Sequence, residues 1–237
     1  MTETYQFGLP LVQPAQAQKH VTVNEALSRL DVVAQLRVVD RTRISPPAAP
    51  VDGESYLLPI GAMAAWLGHD GDIAIWANGG WVFLVPKVGW RLWDEESSSY
   101  YLFDGASWVA NAASMTSSGA ATGASIIEVD HTIGSEAVSI VGAAIPANSQ
   151  VIGITGRVIQ EVTGAATSWR LGVTGSDNRY GSGLGLALNS FVRGLTGAPV
   201  TYYADTDLIL TAEGGAFSNG VVRIAIHVLT LTPPRVV

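Results

Sequence analysis

Aromatic side chains next to short polar ones are the residues of this sequence best suited to chemistry. The C–H faces of a sugar ring are apolar and stack on Trp or Tyr, while carboxylate, amide and guanidinium groups bond its hydroxyls. One set in the second half of the chain therefore predicts a carbohydrate-binding site: Trp169, Asp177, Asn178, Arg179, Tyr180, Tyr202, Tyr203 and Asp205. We expect the runs 177–180 and 202–205 to be exposed loops, where binding residues concentrate.

The remaining Trp residues are concentrated in one stretch, because six of the seven lie between positions 66 and 108. A small β module with few aliphatic residues must build its core from aromatics. We therefore favour a core role for Trp76, Trp81 and Trp108. For the other three, at positions 66, 90 and 93, core and surface both remain open.

The sequence lacks a convincing metal or nucleotide site. Its four histidines lie in separate segments, and it has no cysteine to act as a thiolate ligand or nucleophile. The run His69-Asp70-Gly71-Asp72 starts like a calcium loop, but the twelfth position is Trp81, where such a loop needs Glu. Gly181-Ser182-Gly183-Leu184-Gly185 lacks the spacing of a dinucleotide fingerprint. We expect no metal and no cofactor.

A pair of carboxylates is the remaining catalytic candidate. Asp205 and Asp207 would point the same way from a strand, as a glycosidase pair could. Acidic residues are also common where a loop enters a strand, and no nucleophile elbow occurs. We therefore expect a protein that is not an enzyme.

Composition limits the partners. The chain has 237 residues, 13 Lys and Arg against 20 Asp and Glu, and a net charge of −7. An acidic chain disfavours nucleic acid or an anionic bilayer as partner, since both attract clustered cations. No apolar run reaches the roughly twenty residues of a membrane helix, and the first residues lack a signal peptide's basic start and apolar core. We expect synthesis in the cytoplasm without a signal peptide.

The N-terminal region, residues 1–45, is predicted to hold one amphipathic helix. Thr22-Val23-Asn24-Glu25 has the form of a capping box, and Val23, Leu27 and Leu30 follow helical spacing. The amide-rich run 11–20 before it should be extended. The proline-rich run 45–50 cannot continue a helix and reads as a stiff spacer. The apolar stripe must then pack on the next module or on another chain.

Residues 46–110 are predicted to be a Trp-rich module of short antiparallel strands. Asn78-Gly79 and Asp104-Gly105 each interrupt alternating apolar sequence, which is the strongest short signal for a hairpin. The two hairpins form a degenerate repeat, with an aromatic residue and a Trp five positions apart: Trp76 with Trp81, and Phe103 with Trp108.

Residues 111–124 are small and uncharged, which predicts a flexible linker. Beyond it, residues 125–237 show no helical period and suggest strands separated by Gly, Asn and Pro. The candidate strands are 125–129, 137–140, 150–162, 168–173, 201–203, 208–211 and 221–231. This pattern favours an antiparallel, jelly-roll-like β-sandwich, so the fold class is mainly β.

Four runs of the first half carry a family resemblance. They are Leu9-Pro10-Leu11-Val12-Gln13-Pro14-Ala15-Gln16-Ala17-Gln18-Lys19-His20-Val21-Thr22-Val23-Asn24-Glu25-Ala26-Leu27, Gly71-Asp72-Ile73-Ala74-Ile75-Trp76, Gly89-Trp90-Arg91-Leu92-Trp93 and Phe103-Asp104-Gly105-Ala106-Ser107-Trp108. Over residues 8–110 the chain resembles a family of phage-related structural proteins of alphaproteobacteria, long filed as a domain of unknown function. The C-terminal half, through 202–207 and 214–220, is similar in style to receptor-binding tips of phage fibres.

The resemblance implies a head spike of a gene transfer agent, a phage-like particle that moves host DNA. Such spikes decorate the capsid and bind capsular polysaccharide of the recipient cell, and spike tips are usually homotrimers. Residues 1–45 would then attach to capsid or spike-base proteins and oligomerise, and 125–237 would bind the sugar. Two alternatives stay open: a purely structural component whose partner binds the sugar, and a capsule depolymerase.

Overall fold

The computed structural model describes residues 2–13 and 19–236. They form two compact units: unit 1 contains the described residues up to 121 together with 233–236, and unit 2 contains 122–232. The predicted mainly β fold is confirmed, since strands follow a single N-terminal helix in the described residues. The central part of the predicted extended run, at 14–18, lies outside the described residues.

Unit 1 contains helix α1 and eight short strands. Their bounds are α1 Lys19–Ala34, β1 Arg37–Val38, β2 Ser55–Leu57, β3 Ile73–Ala77, β4 Gly80–Leu84, β5 Arg91–Asp94, β6 Ser99–Phe103, β7 Trp108–Ala110 and β8 Ala112–Met115. One sheet has the order β1-β5-β6-β7 and another the order β2-β3-β4.

The helix begins one turn earlier than the capping-box pattern predicts. Thr22 therefore lies inside α1 and is not its N-cap, and the predicted box is wrong. Glu25 forms an ion pair with Arg29 at 2.7 Å, the i, i+4 spacing that brings side chains together on a helix. Asn24 binds both the N–H and the C=O of Val12, so it holds the preceding N-terminal arm against the helix.

A buried carboxylate on α1 anchors this N-terminal arm. Asp31 accepts hydrogen bonds from the Thr4 hydroxyl at 2.7 Å and from the N–H groups of Gln6 and Phe7 at 2.7 and 2.9 Å. A buried charge needs such donors to offset its lost hydration. Polar contacts therefore hold the arm against the helix, and the periodicity of the sequence does not predict them.

The division predicted at residue 45 differs from the structure. Val32 of α1, Leu36 and Val38 share one core with residues of the Trp-rich module such as Ile75 and Leu92. Strand β1 also pairs in parallel with β5. Because the segment 1–45 contributes a strand and core residues to the module, the two belong to one compact unit.

Both predicted hairpins are present. β3 and β4 pair across Asn78 and Gly79, whose φ values of 53° and 78° suit the two-residue turn that matches strand twist. Trp76 lies opposite Trp81, and Phe103 lies opposite Trp108, with ring centroids 5.0 Å apart in each pair. The degenerate repeat therefore places an aromatic pair across each hairpin.

The second hairpin is closed by the buried carboxylate of Asp104. It accepts hydrogen bonds from the N–H groups of Ala106 and Ser107 at 2.8 and 2.7 Å and pairs with the guanidinium of Arg235. Burial acts to raise the pKa of Asp104, but these donors outweigh it and hold the pKa below its ordinary value.

The prediction of a flexible linker at 111–124 is wrong, because most of this segment is in strands. β8 and the start of the next strand occupy much of it, and the turn between them is held by Arg235, which donates to the main chain of Ser117 and Ser118. Small residues bury little surface, but their backbone groups can still be paired. Composition therefore underestimated the order of this segment.

Unit 2 is a β-sandwich, as predicted, but it has eight strands where the sequence suggested seven. Its strands are β9 Ala121–Ile133, β10 Val138–Ile145, β11 Ser149–Gly164, β12 Ser168–Val173, β13 Ser176–Leu184, β14 Phe191–Tyr202, β15 Thr206–Glu213 and β16 Phe217–Thr232. Strands lie in the orders β14-β11-β16-β9 and β10-β15-β12-β13. The first strand thus neighbours the eighth, the second the seventh, the third the sixth and the fourth the fifth, which is a jelly roll.

The inner faces of both sheets share one apolar core. It includes Ile154 and Ile224 from one sheet and Leu171 and Leu210 from the other, all fully buried. Strand β13 and most of β14 were not predicted, because Gly-rich and polar residues mask their alternation. The core nevertheless requires them, since they carry inward-facing Tyr180 and Val192.

Replacing Asp104 should destabilise unit 1. We expect Asp104→Asn to lower the free energy of unfolding by about 2–4 kcal/mol at neutral pH, because it weakens a buried pair and leaves donors poorly matched. The lowered native pKa makes the carboxylate stabilising above the unfolded pKa of about 3.9. That stabilisation is lost as the pH falls through the pKa of Asp104 in the folded protein. The difference in free energy of unfolding between the variant and the native protein should therefore become smaller in that pH range.

Urea unfolding followed by Trp fluorescence would measure this, since six of the seven Trp residues lie in unit 1. Glu96→Gln is the matched control, because Glu96 is an exposed carboxylate of the same unit. It should change the free energy of unfolding by less than about 0.5 kcal/mol. Equal stabilities of the Asp104 variant and the control would contradict the assignment.

Candidate functional site

The eight residues predicted to bind sugar do not form one exposed surface. Trp169 on β12 and Tyr180 on β13 are each only 2% exposed and belong to the core of unit 2. The Trp169 indole N–H donates to the carbonyl of Gly185 at 3.0 Å. Neither ring can present a face to a sugar, so the prediction is wrong for both. Their inward register in β12 and β13 is the reason.

Tyr202 is committed mainly to the same core. Its hydroxyl lies 2.6 Å from the Tyr180 hydroxyl, and its half-buried ring packs against the core. Burial and this hydrogen bond raise the pKa of Tyr180 far above its ordinary value. The two phenols form a structural pair between β13 and β14.

The run 177–180 is strand and not the predicted loop. Asp177 pairs with Arg170 at 3.1 Å, and Arg170 also lies 3.5 Å from Glu213. This ion-pair network links β12, β13 and β15. Asn178 and Arg179 are exposed on the same strand.

Asp205 lies in the turn between β14 and β15, and Asp207 lies at the start of β15. The carboxylates of Asp205 and Asp207 accept hydrogen bonds from the N–H groups of Ala147 at 2.8 Å and Ala143 at 2.7 Å. Both acids thus hold neighbouring backbone in place. Tyr203, in contrast, is 82% exposed and remains free to contact a ligand.

The Trp-rich stretch of unit 1 also has mainly structural contacts. Trp66 is fully buried, and its ring centroid lies 5.2 Å from that of Trp81. The other Trp residues of the stretch, at 76, 81, 90, 93 and 108, are half-buried. Of the three for which a core role was favoured, Trp81 and Trp108 pack against buried clusters of unit 1, whereas Trp76 contacts Trp81 across the hairpin and lies in neither cluster.

The acidic run 69–72 is a structural turn. Asp70 accepts hydrogen bonds from the N–H groups of Gly61 and Ala62, each at 3.0 Å, and Asp72 contacts His69 at 2.9 Å. Across residues 2–13 and 19–236, no group of three or more His, Asp or Glu side chains is placed to hold a metal ion. No helix in those ranges has the length and apolar character needed to cross a bilayer.

A surface that the sequence did not suggest lies on the outer face of the β14-β11-β16-β9 sheet. Arg157 of β11 lies opposite both Phe191 of β14 and Arg223 of β16, and Arg193 lies opposite Thr155. These residues line an open groove of about 400 Å³. We call this set the arginine face: Thr155, Arg157, Phe191, Arg193 and Arg223, with Glu128 and Asp130 beside it.

The arginines of this face are not equivalent. Arg223 binds Asp130 through two hydrogen bonds of 2.6 and 2.7 Å. This bond raises the pKa of Arg223 and lowers that of Asp130. The guanidinium carbons of Arg157 and Arg193 lie 5.8 and 5.4 Å from the Phe191 ring centroid. Neither of these two has an ion-pair partner among the described residues.

The arginine face differs in charge from the rest of unit 2. Residues 122–232 contain eight carboxylates and five arginines, a net charge of −3. Three of those five arginines stand on this one face. A sequence signal did exist, since alternation in 151–159 and 222–228 puts Arg157 and Arg223 on the outward side. The missing information was which strands are neighbours.

Mutation of Tyr202 should report on stability as well as on any ligand contact. We expect Tyr202→Ala to lower the free energy of unfolding by about 2–4 kcal/mol, since it removes core packing and leaves the Tyr180 hydroxyl unpaired. Tyr203→Ala should change it by less than about 0.5 kcal/mol. Thermal unfolding monitored by circular dichroism would separate the two. Equal losses would contradict the described exposures.

Comparisons with known proteins match only parts of the chain. Residues 23–109 match a family model described as "Protein of unknown function (DUF2793)". No curated protein matches the chain. A chain in the structure of the cyanophage Pam1 capsid asymmetric unit is weakly similar, with 21% identity and a TM-score of 0.34, over 52% of this chain and 92% of that chain.

Proposed function

We propose that this chain is a non-enzymatic adhesin of a phage-like particle, a head spike or fibre that binds capsular polysaccharide of the recipient cell. The observation that carries the proposal is the open groove of the arginine face, where exposed Phe191 stands beside hydrogen-bonding side chains. An aromatic face with polar neighbours suits a sugar. The match of residues 23–109 to the DUF2793 model agrees with the resemblance to phage-related structural proteins.

The partners of the carboxylates in unit 2 favour sugar binding over sugar hydrolysis. A glycosidase needs one acid and one partner carboxylate facing the scissile bond. Asp205 and Asp207 bind backbone N–H groups, while Asp130 and Asp177 bind arginines. These acids of unit 2 have structural partners, which supports binding without cleavage.

Oligomerisation fits the surface of α1. Val23 and Leu30, which lie on one stripe of the helix, are 42% and 56% exposed, and Leu27 between them is half-buried. Contact between copies along this stripe would cover apolar surface. In this proposal the N-terminal segment forms a homotrimer and docks on capsid or spike-base proteins, so that several weak sugar contacts act together.

The adhesin proposal predicts that the chain is needed for adsorption and is sufficient for sugar binding. Purified particles lacking the chain should adsorb poorly to encapsulated cells, whereas both kinds of particle should adsorb equally poorly to cells without capsule. Purified full-length protein should bind isolated capsule and release no new reducing ends.

The alternatives give different results in the same assays. A structural component whose partner binds the sugar would be required for adsorption, yet the purified chain would not bind capsule. A depolymerase would release reducing ends. Normal adsorption of particles that lack the chain would contradict the proposal.

The trimer is tested by mass. Full-length protein at micromolar concentration should have three times the chain mass of 24.8 kDa in light scattering. Val23→Glu combined with Leu30→Glu should shift it to monomer with unchanged circular dichroism, because charge on the stripe opposes burial. Arg29→Gln, on another side of α1, is the control and should stay trimeric. A monomeric native protein would contradict this part of the proposal.

A further inference from the structure

We infer that the arginine face binds a uronic-acid residue of the polysaccharide, with the carboxylate between Arg157 and Arg193 and the sugar ring on Phe191. This inference rests on the adhesin function proposed above. It gives that function a class of ligand, an acidic glycan, and a place on the molecule.

The first argument is that two cations on this face lack a counter-charge. Arg223 is neutralised by Asp130, and Glu128 lies 3.6 Å from the same guanidinium. Arg157 and Arg193 have no carboxylate partner within ion-pair distance among the described residues, although Arg157 donates to the carbonyl of Asn189 at 3.0 Å. A guanidinium fork matches a carboxylate in shape and charge.

The second argument is the position of Phe191. Its ring is 58% exposed. Two guanidinium carbons lie within 6 Å of the ring centroid, one from Arg157 on the neighbouring strand β11 and one from Arg193 on β14 itself. A phenyl ring has no polar group and can offer a ligand only its apolar face. A sugar that stacks there would bring its own carboxylate within reach of both arginines, and the hydroxyl of Thr155 lines the same groove.

The third argument is the charge left unbalanced on this face. Arg157 lies directly opposite Arg223, but Asp130 balances the charge of Arg223. Arg193 lies diagonal to Arg157, so two unbalanced positive charges are neighbours there and repel each other. A cluster that repels itself within a unit of net negative charge is expected where an anion is bound.

A second copy of the same face is a poorer partner. In a two-fold contact the face would meet itself, so the unpaired arginines of both copies would be brought together without matching carboxylates. A nucleic acid is disfavoured by the net charge of −7 of the whole chain. An acidic sugar offers a carboxylate to the unpaired arginines and an apolar face to the exposed ring.

The test measures binding of the full-length protein to capsule fragments of an encapsulated recipient strain, native and after chemical reduction of their carboxylates to alcohols. We expect carboxyl reduction, Arg157→Gln and Arg193→Gln each to weaken binding by about tenfold or more, since each removes a charge-assisted contact. Phe191→Ala should weaken it similarly. Binding to native fragments should fall as salt is raised from about 0.05 to 0.5 M.

Arg91→Gln is the matched control, since it removes an exposed arginine from β5 of unit 1, outside this face. It should leave binding unchanged. A stability measurement guards against misfolding, because Arg157→Gln relieves repulsion and should unfold at the same urea concentration or a higher one.

The outcomes separate this inference from the function on which it rests. Equal binding of native and reduced fragments, or loss with Arg91→Gln and not with Arg157→Gln, would overturn the acidic-sugar site while the adhesin proposal stands. If Arg157→Gln, Arg193→Gln or Phe191→Ala changed the oligomer mass and left sugar binding unchanged, the face would be a subunit contact and the inference would be overturned. No binding of the native protein to any capsule fragment would contradict the adhesin proposal itself.

Discussion

In unit 2, side chains along each strand alternate between the two faces of the sheet, and the rest of that unit depends on this constraint. Both sheets bury one face in a shared core, so each strand must turn alternate residues inward. Ile154 and Val158 of β11 point inward, which sends Thr155 and Arg157 outward. In β14 inward Val192 sends Phe191 and Arg193 out. The arginine face is therefore a consequence of packing the opposite side of the same strands, and a rigid sheet holds its side chains at fixed spacing.

The same rule explains what the sequence could and could not predict. The jelly-roll class, the strands 150–162 and 221–231 and both hairpins followed from alternation and from Asn-Gly or Asp-Gly turns. The site did not, because Trp169 and Tyr180 were judged by residue type, while their register in the sheet decides that they are buried. Arg157 and Arg193 are 36 positions apart and become neighbours only through the pairing of β11 with β14, which no local pattern encodes.

Buried carboxylates explain the parts of unit 1 that composition misjudged. Asp31 holds the N-terminal arm through three hydrogen bonds, and Asp104 gathers a hairpin turn and Arg235 from the C-terminal end of the chain. Such contacts join segments far apart in sequence, and their energy comes from pairing a desolvated charge. The small-residue run therefore looked like a spacer, although Arg235, which Asp104 binds, also donates to the main chain of its turn.

Protection of a sheet edge is the structural explanation that competes with binding for the arginine face. β14 is an edge strand, and natural proteins place charges and proline on edges to prevent pairing with another chain. Arg193 and Pro199 of β14 fit that role. It does not extend to Arg157 and Arg223, because β11 and β16 are interior strands with neighbours on both sides. Their side chains stand on the face of the sheet and cannot guard its edge. Unbalanced Arg157 on an interior strand, next to Arg193 and an exposed aromatic ring, is explained more simply by an anionic ligand on that face.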